Sequence, residues 1–126
     1  MQVEIVQECR LLGTGVGGFY QPTFGDGKHM HLQMMCLGNK HWEPTTGSYI
    51  SSRSYYDNAN PPPIPSKFSA MVKASLQKAQ DLALKAGGFK LGRTTVDGEL
   101  PDLDPNVCIV NFYEQSGSLG MHQVLA

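Results

Sequence analysis

The chain has 126 residues, of which 40 % are apolar and 17 % charged, with a formal net charge of −1. That length suits one small domain rather than two, and the composition excludes an intrinsically disordered segment. The near-neutral charge excludes a domain that grips nucleic acid by charge alone, since such domains are clearly basic.

The 14 glycines and 8 prolines point to extensive loop. Three cysteines, Cys9, Cys36 and Cys108, lie far apart, form no C-x-x-C pair and suggest no disulfide framework. They suit a reducing compartment. Met1-Gln2-Val3-Glu4 lacks the basic stretch and apolar run of a signal peptide. No apolar stretch reaches the ~20 residues of a membrane helix. The expectation is a soluble intracellular protein, nuclear or cytoplasmic, with no membrane partner.

Residues 2–12, QVEIVQECRLL, place Ile5, Cys9 and Leu12 on one helical stripe, with Gly13 as the stop. No capping residue precedes the first turn, so the start is expected to be cut short. Residues 13–27 are rich in Gly and aromatics and read as loop, with room for a short hairpin. Residues 28–36, KHMHLQMMC, alternate Met30, Leu32 and Met34 against His31 and Gln33, which predicts a strand with one apolar and one polar face. Residues 37–65 read as a long loop ending in Asn60-Pro61-Pro62-Pro63-Ile64-Pro65. A loop of that length in a small domain is usually functional, for example a lid.

Residues 66–86 carry the clearest helical pattern. Phe68, Met71, Val72, Leu76, Ala79, Leu82 and Ala83 form its stripe, Ser66 is placed to cap it, and Gly87-Gly88 stops it. Residues 89–106 read as loop. Residues 107–113, VCIVNFY, predict a buried strand with Ile109, Asn111 and Tyr113 on one face and Cys108, Val110 and Phe112 on the other. Ser116-Gly117-Ser118 marks a turn.

Two patterns carry less chemistry than they suggest. Gly13-x-Gly15-x-x-Gly18 has dinucleotide-binding spacing, but a helix precedes it and Phe19-Tyr20-Gln21-Pro22 follows. The motif needs a strand before and a helix after, so it reads as loop. His29 and His31 are spaced to share one strand face, half of a metal site. Nothing nearby completes that site, and the pair reads as polar residues on a solvated face.

The informative string is Cys108-Ile109-Val110-Asn111-Phe112-Tyr113, then Leu119-Gly120-Met121-His122-Gln123. With GGFYQP (17–22), the MMCLG run (34–38), Trp42, Tyr49 and the PPPIP-to-helix segment, it resembles the AlkB-like Fe(II)/2-oxoglutarate-dependent dioxygenases, plant members above all. The resemblance spans about residues 3–123. It implies an α+β fold, the N-terminal portion of an AlkB-type double-stranded β-helix (jelly-roll). In this single partial domain, 14–65 would hold the nucleotide-recognition lid, 66–86 the helix and 107–123 the first part of the jelly-roll core. It also implies 2-oxoglutarate contacts at Asn111 and Tyr113, an iron ligand at His122, and a base-covering aromatic lid at Trp42 and Tyr49. The implied reaction oxidises an N-methyl group on a DNA or RNA base, releasing formaldehyde while 2-oxoglutarate becomes succinate and CO₂.

The chain departs from that pattern at the metal and cosubstrate ligands. The family has Asp two residues after the His, and here Val124 stands there. A second His ligand and the arginines for the distal carboxylate of 2-oxoglutarate are missing downstream, and Arg10, Arg53 and Arg93 all precede the metal strand. Two histidines and one carboxylate normally hold this iron. The expectation is therefore an inactive, truncated form, its reading frame running past an exon boundary after Gln123. It would bind neither Fe(II) nor 2-oxoglutarate usefully and be marginally stable, with strand 107–113 left uncovered. The alternative is a non-catalytic fragment binding nucleic acid through Trp42, Tyr49 and Lys40, or binding protein.

Overall fold

The computed structural model describes residues 2–91, 94–96 and 100–120. It is α+β, in the order α1 (Gln2–Gly13), β1 (Leu32–Gly38), β2 (His41–Glu43), β3 (Ser48–Ile50), α2 (Ser66–Lys85), β4 (Phe89–Leu91), β5 (Thr94–Val96) and β6 (Val107–Tyr113). The chain divides into two compact units. One comprises Met1–Pro63 with Asn106–Ala126, the other Ile64–Pro105.

In the first unit, α1 buries Cys9 and half-buries Ile5 and Leu12, while Val3 and Leu11 stay exposed. Glu4 in the first turn and Arg10 in the last complement the helix dipole. The glycine-rich segment then turns back on itself. Gly15 N–H donates to Leu12 O, Gly18 N–H to Gly15 O and Phe19 N–H to Gly13 O. It leads from a helix into a β-bridge between Tyr20 and Met34, so the dinucleotide context is absent.

The strand expected at 28–36 is Leu32–Gly38. Residues 28–31 are taken instead by a short hairpin. Thr23 bridges His29, and Met30 N–H donates to Pro22 O at 2.9 Å. The alternation of apolar and solvated faces also fails, because Met34, Met35, Cys36 and Leu37 are all buried. Burial on both faces is the pattern of a strand with structure on each side. One edge of β1 pairs antiparallel with β6, from Leu32↔Tyr113 to Gly38↔Val107. On the other edge, Tyr20 and Met34 exchange backbone hydrogen bonds of 3.0 and 2.8 Å.

The bounds of β6 match the expectation, but its burial does not. Ile109, Asn111, Phe112 and Tyr113 are exposed, and among the described residues β1 is its only strand neighbour. The loop expected at 37–65 contains the β2–β3 hairpin, with register His41↔Ile50, Trp42↔Tyr49 and Glu43↔Ser48. Three-residue strands are too short to show a period, which is why they read as loop.

In the second unit, Ser66 is not the cap of α2. Pro65 takes that place with no side-chain cap, and its carbonyl accepts from Phe68 N–H at 3.0 Å. Ser66 is the first helical residue instead. Of the predicted stripe only Phe68 is buried, and Leu82 is exposed. Gly87 ends the helix at φ 82°, with Gly88 N–H donating to Ala83 O at 2.8 Å, the left-handed stop that the paired glycines predict. Residues 89–106, expected as loop, include the β4–β5 hairpin. Among the described residues no helix is long and apolar enough to cross a membrane.

Candidate functional site

Trp42 and Tyr49 face each other across the β2–β3 hairpin as directly paired residues. Their ring centroids are 4.9 Å apart at 62°, an edge-to-face contact. The two rings are not equivalent. Trp42 is half-buried, packs on the cluster of Tyr20, Met34 and Cys36, and donates its backbone N–H to Cys36 Sγ at 3.3 Å. Tyr49 is 54 % exposed. One ring is anchored and its partner is open to solvent, so the Tyr49 ring is available for stacking. Lys40 sits at the foot of the hairpin, its ammonium 3.4 Å from Ser51 Oγ.

Beside this pair lies a buried polar cluster that sequence reasoning missed. His41, Glu43 and Arg53 are 2 %, 4 % and 5 % exposed. His41 Nε2 is 3.2 Å from the Tyr20 hydroxyl and 3.4 Å from Glu43 Oε2, while Glu43 Oε1 accepts from Thr45 N–H at 3.1 Å. Arg53 donates to both oxygens of Asp57 and to Gly18 O, and its guanidinium lies 4.9 Å from the centre of the Tyr20 ring. Burial pushes the Tyr20 phenol above its ordinary value. Burial holds the His41 imidazolium below its usual range, against the pull of the Glu43 carboxylate. The hydrogen bonds from Arg53 hold the Asp57 carboxyl below the usual carboxylate range. The only local hint was His41-x-Glu43 on alternate positions, a spacing invisible without the hairpin.

Asn111 and Tyr113 share one face of β6, in register with Met34 and Leu32 of β1, and both are exposed. On the opposite face Phe112 packs on Phe19 with centroids 4.9 Å apart. The turn after β6 is fastened to the start of β1. Glu114 N–H donates to His31 O at 3.1 Å, and His31 Nδ1 lies 3.1 Å from Ser116 Oγ and 3.8 Å from Glu114 Oε2. His31 thus anchors a turn, His29 lies in the Thr23 bridge, and neither belongs to β1. The shared strand face expected for the two histidines does not form.

His122, Gln123 and Val124 lie outside the described residues. Among the described residues no group of three or more His, Cys, Asp or Glu could hold a metal ion. The donors among the described residues therefore do not make up an iron centre. The Asn111 amide and Tyr113 hydroxyl are of the right kind to donate to a carboxylate. Arg53 is committed to Asp57, so it is not free to hold one.

The chain is 45 % identical over 122 residues to the DNA N(6)-methyladenine demethylase ALKBH1C of Arabidopsis thaliana, covering 97 % of this chain and 26 % of that protein. It is 45 % identical over 123 residues to the probable DNA N(6)-methyladenine demethylase ALKBH1B of the same plant, covering 98 % and 25 %. The chain thus spans about a quarter of the length of the curated relatives it matches. The solved structure of OsALKBH1 superposes with a TM-score of 0.72 at 43 % identity, covering 91 % of this chain and 48 % of that one. The sequence model of the 2OG-Fe(II) oxygenase superfamily matches residues 1–123. Complete members of that superfamily use Fe(II) and 2-oxoglutarate, and the chain belongs to it.

Proposed function

We propose that this chain supplies the base-recognising lid and one side of the cosubstrate cradle of a nucleic-acid demethylase. That enzyme removes N-methyl groups oxidatively from bases, with N6-methyladenine in DNA the first candidate and RNA the second. The observation that carries the reading is the Trp42–Tyr49 pair, one ring anchored and one exposed on a hairpin. It is supported by similarity to proteins named as DNA N(6)-methyladenine demethylases. Enzymes that act on a base take it out of the stack and hold it against aromatic side chains. In this reading Trp42 and Tyr49 hold the base, and Asn111 and Tyr113 donate hydrogen bonds to 2-oxoglutarate. His122 is the first iron ligand. Residues 14–65 form the lid region and 107–123 begin the jelly-roll core, in a protein of the nucleus or cytoplasm.

These 126 residues place Val124 where a ligand Asp is needed, and a valine side chain offers iron nothing. We therefore assign binding, and not turnover, to this polypeptide. The test is titration with a single-stranded DNA oligonucleotide carrying N6-methyladenine. Each stacked base is worth about 1–3 kcal/mol, so Trp42→Ala and Tyr49→Ala should each weaken binding about fivefold or more. Unchanged affinity in both variants would remove the lid from the reading.

A further inference from the structure

Apolar packing holds Trp42 against the body of the unit, but packing has no direction. A two-stranded hairpin with three-residue strands is marginal by itself and needs outside support to hold one register. A slip of one residue along β2 would turn Trp42 into the place of His41 and put His41 and Glu43 where Trp42 stands. Something directional must oppose that slip, and the buried side chains flanking Trp42 supply it.

Tyr20 is the fixed end. Its backbone is bridged to Met34 on both sides, and its ring lies beneath the Arg53 guanidinium. From its hydroxyl the chain of polar contacts passes to His41 Nε2 at 3.2 Å, then to Glu43 Oε2 at 3.4 Å. Glu43 Oε1 continues it to Thr45 N–H at 3.1 Å, inside the turn between β2 and β3. Two oxygens, the Tyr20 hydroxyl and Glu43 Oε2, converge on one ring nitrogen of His41. Slipping the strand would leave the Glu43 carboxylate without His41 and bury the indole where a polar side chain now sits.

We propose that the Tyr20–His41–Glu43 chain sets the register and placement of the Trp42–Tyr49 pair, making His41 and Glu43 positioning residues for base binding. The binding half of this statement rests on the lid reading above. The placement half does not.

Trp42 is the only tryptophan of the chain, so its emission reports on the hairpin alone. In the 126-residue chain, His41→Phe keeps a ring of similar size and removes the polar link. It should raise acrylamide quenching of Trp42 and weaken binding of the N6-methyladenine oligonucleotide about three- to tenfold, part of the worth of a stacked base. His41→Gln restores a polar group able to donate or accept near Nε2 and should recover both readouts, which a loss of bulk packing would not explain. Where His41→Phe fails to fold by circular dichroism, Tyr20→Phe removes only the hydroxyl and should move quenching in the same direction. Wild-type quenching in a folded His41→Phe, or in Tyr20→Phe if the former does not fold, overturns the proposal. Trp42→Ala separates the two ideas. Wild-type oligonucleotide affinity in that variant overturns the lid reading and the binding half with it, while quenching still decides placement.

Discussion

Arg53 grips Asp57 with two parallel hydrogen bonds, Nε to Oδ1 at 2.6 Å and Nη2 to Oδ2 at 2.7 Å. A third bond runs from Nη1 to Gly18 O at 2.6 Å and ties the 53–58 turn to the glycine-rich segment. Asp57 is partly exposed, so its loss of a partner is softened by water. The Gly18 carbonyl and the stacked Tyr20 and Tyr56 rings are the larger loss. Arg53→Ala should destabilise the chain by about 2–4 kcal/mol in urea denaturation. Arg53→Lys should recover only part of that, because an ammonium cannot reproduce the planar fork. Equal stability of Arg53→Lys and wild type would count against this account.

Acid should loosen the hairpin before it unfolds the rest. His41 is surrounded by Tyr20, Glu43, Arg53 and Asp57, and burial keeps its folded-state pKa below the 6.5 of a free imidazole. As pH falls through 6.5 the unfolded chain takes up a proton that the folded chain resists. The stability contribution is therefore complete above that value and is lost on acidification. Asp57 acts in the same direction lower down, since its stabilising pair is lost as pH falls below the ordinary 3.8. Melting temperature should drop as pH falls below about 6.5, and His41→Gln should flatten that slope.

The cysteines should be slow to react. Cys9 and Cys36 are buried, and burial raises the thiol pKa of all three above the ordinary range. At neutral pH a thiol-specific reagent should modify Cys36 only on unfolding, and Cys108, half-buried, first. Rapid modification of Cys36 in the native chain would contradict the packing described.

Gly117 faces the His31 carbonyl so closely that a Cβ there would collide with backbone rather than with a movable side chain. Gly117→Ala should detach the turn after β6 from His31 and destabilise the chain by about 1–3 kcal/mol. The His31 imidazole would then lose its contact with Ser116, visible as a changed proton resonance.

Turnover by these 126 residues is not expected. The chain has four histidines, and His41 is held in the buried network while His29 and His31 belong to a hairpin arm and a turn. With Val124 offering no ligand atom, added Fe(II) and 2-oxoglutarate should yield no succinate above a no-protein control. Fe(II)-dependent succinate release by the purified chain would overturn the assignment.

The two helices, the bounds of β6 and the family were legible from sequence, because long helical stripes and a β-branched run leave periods or motifs to read. The β2–β3 and β4–β5 hairpins were not, because three residues hold no period. Burial was misjudged in both directions for one reason. Which side of a strand is covered depends on segments far along the chain, so β1 is buried on both faces and β6 is largely open. For the site, Trp42 and Tyr49 stand out as residue types, and their pairing emerged only with the hairpin. The Tyr20–His41 contact joins positions 21 residues apart, and the only local trace of the cluster was His41-x-Glu43 on alternate positions.

Gly38 and Asn39 are adjacent, and each receives a different end of the chain. Gly38 N–H donates to Pro62 O at 2.7 Å and Asn39 N–H to Asn106 O at 2.8 Å. Pro62 is where the backbone is about to leave the first unit and Asn106 is where it has just returned. The second unit is therefore an insertion whose exit and re-entry share one doorway, the geometry that lets a protein exchange a whole segment without disturbing its host. A short flexible linker in place of 64–105 should leave β1 and β6 paired.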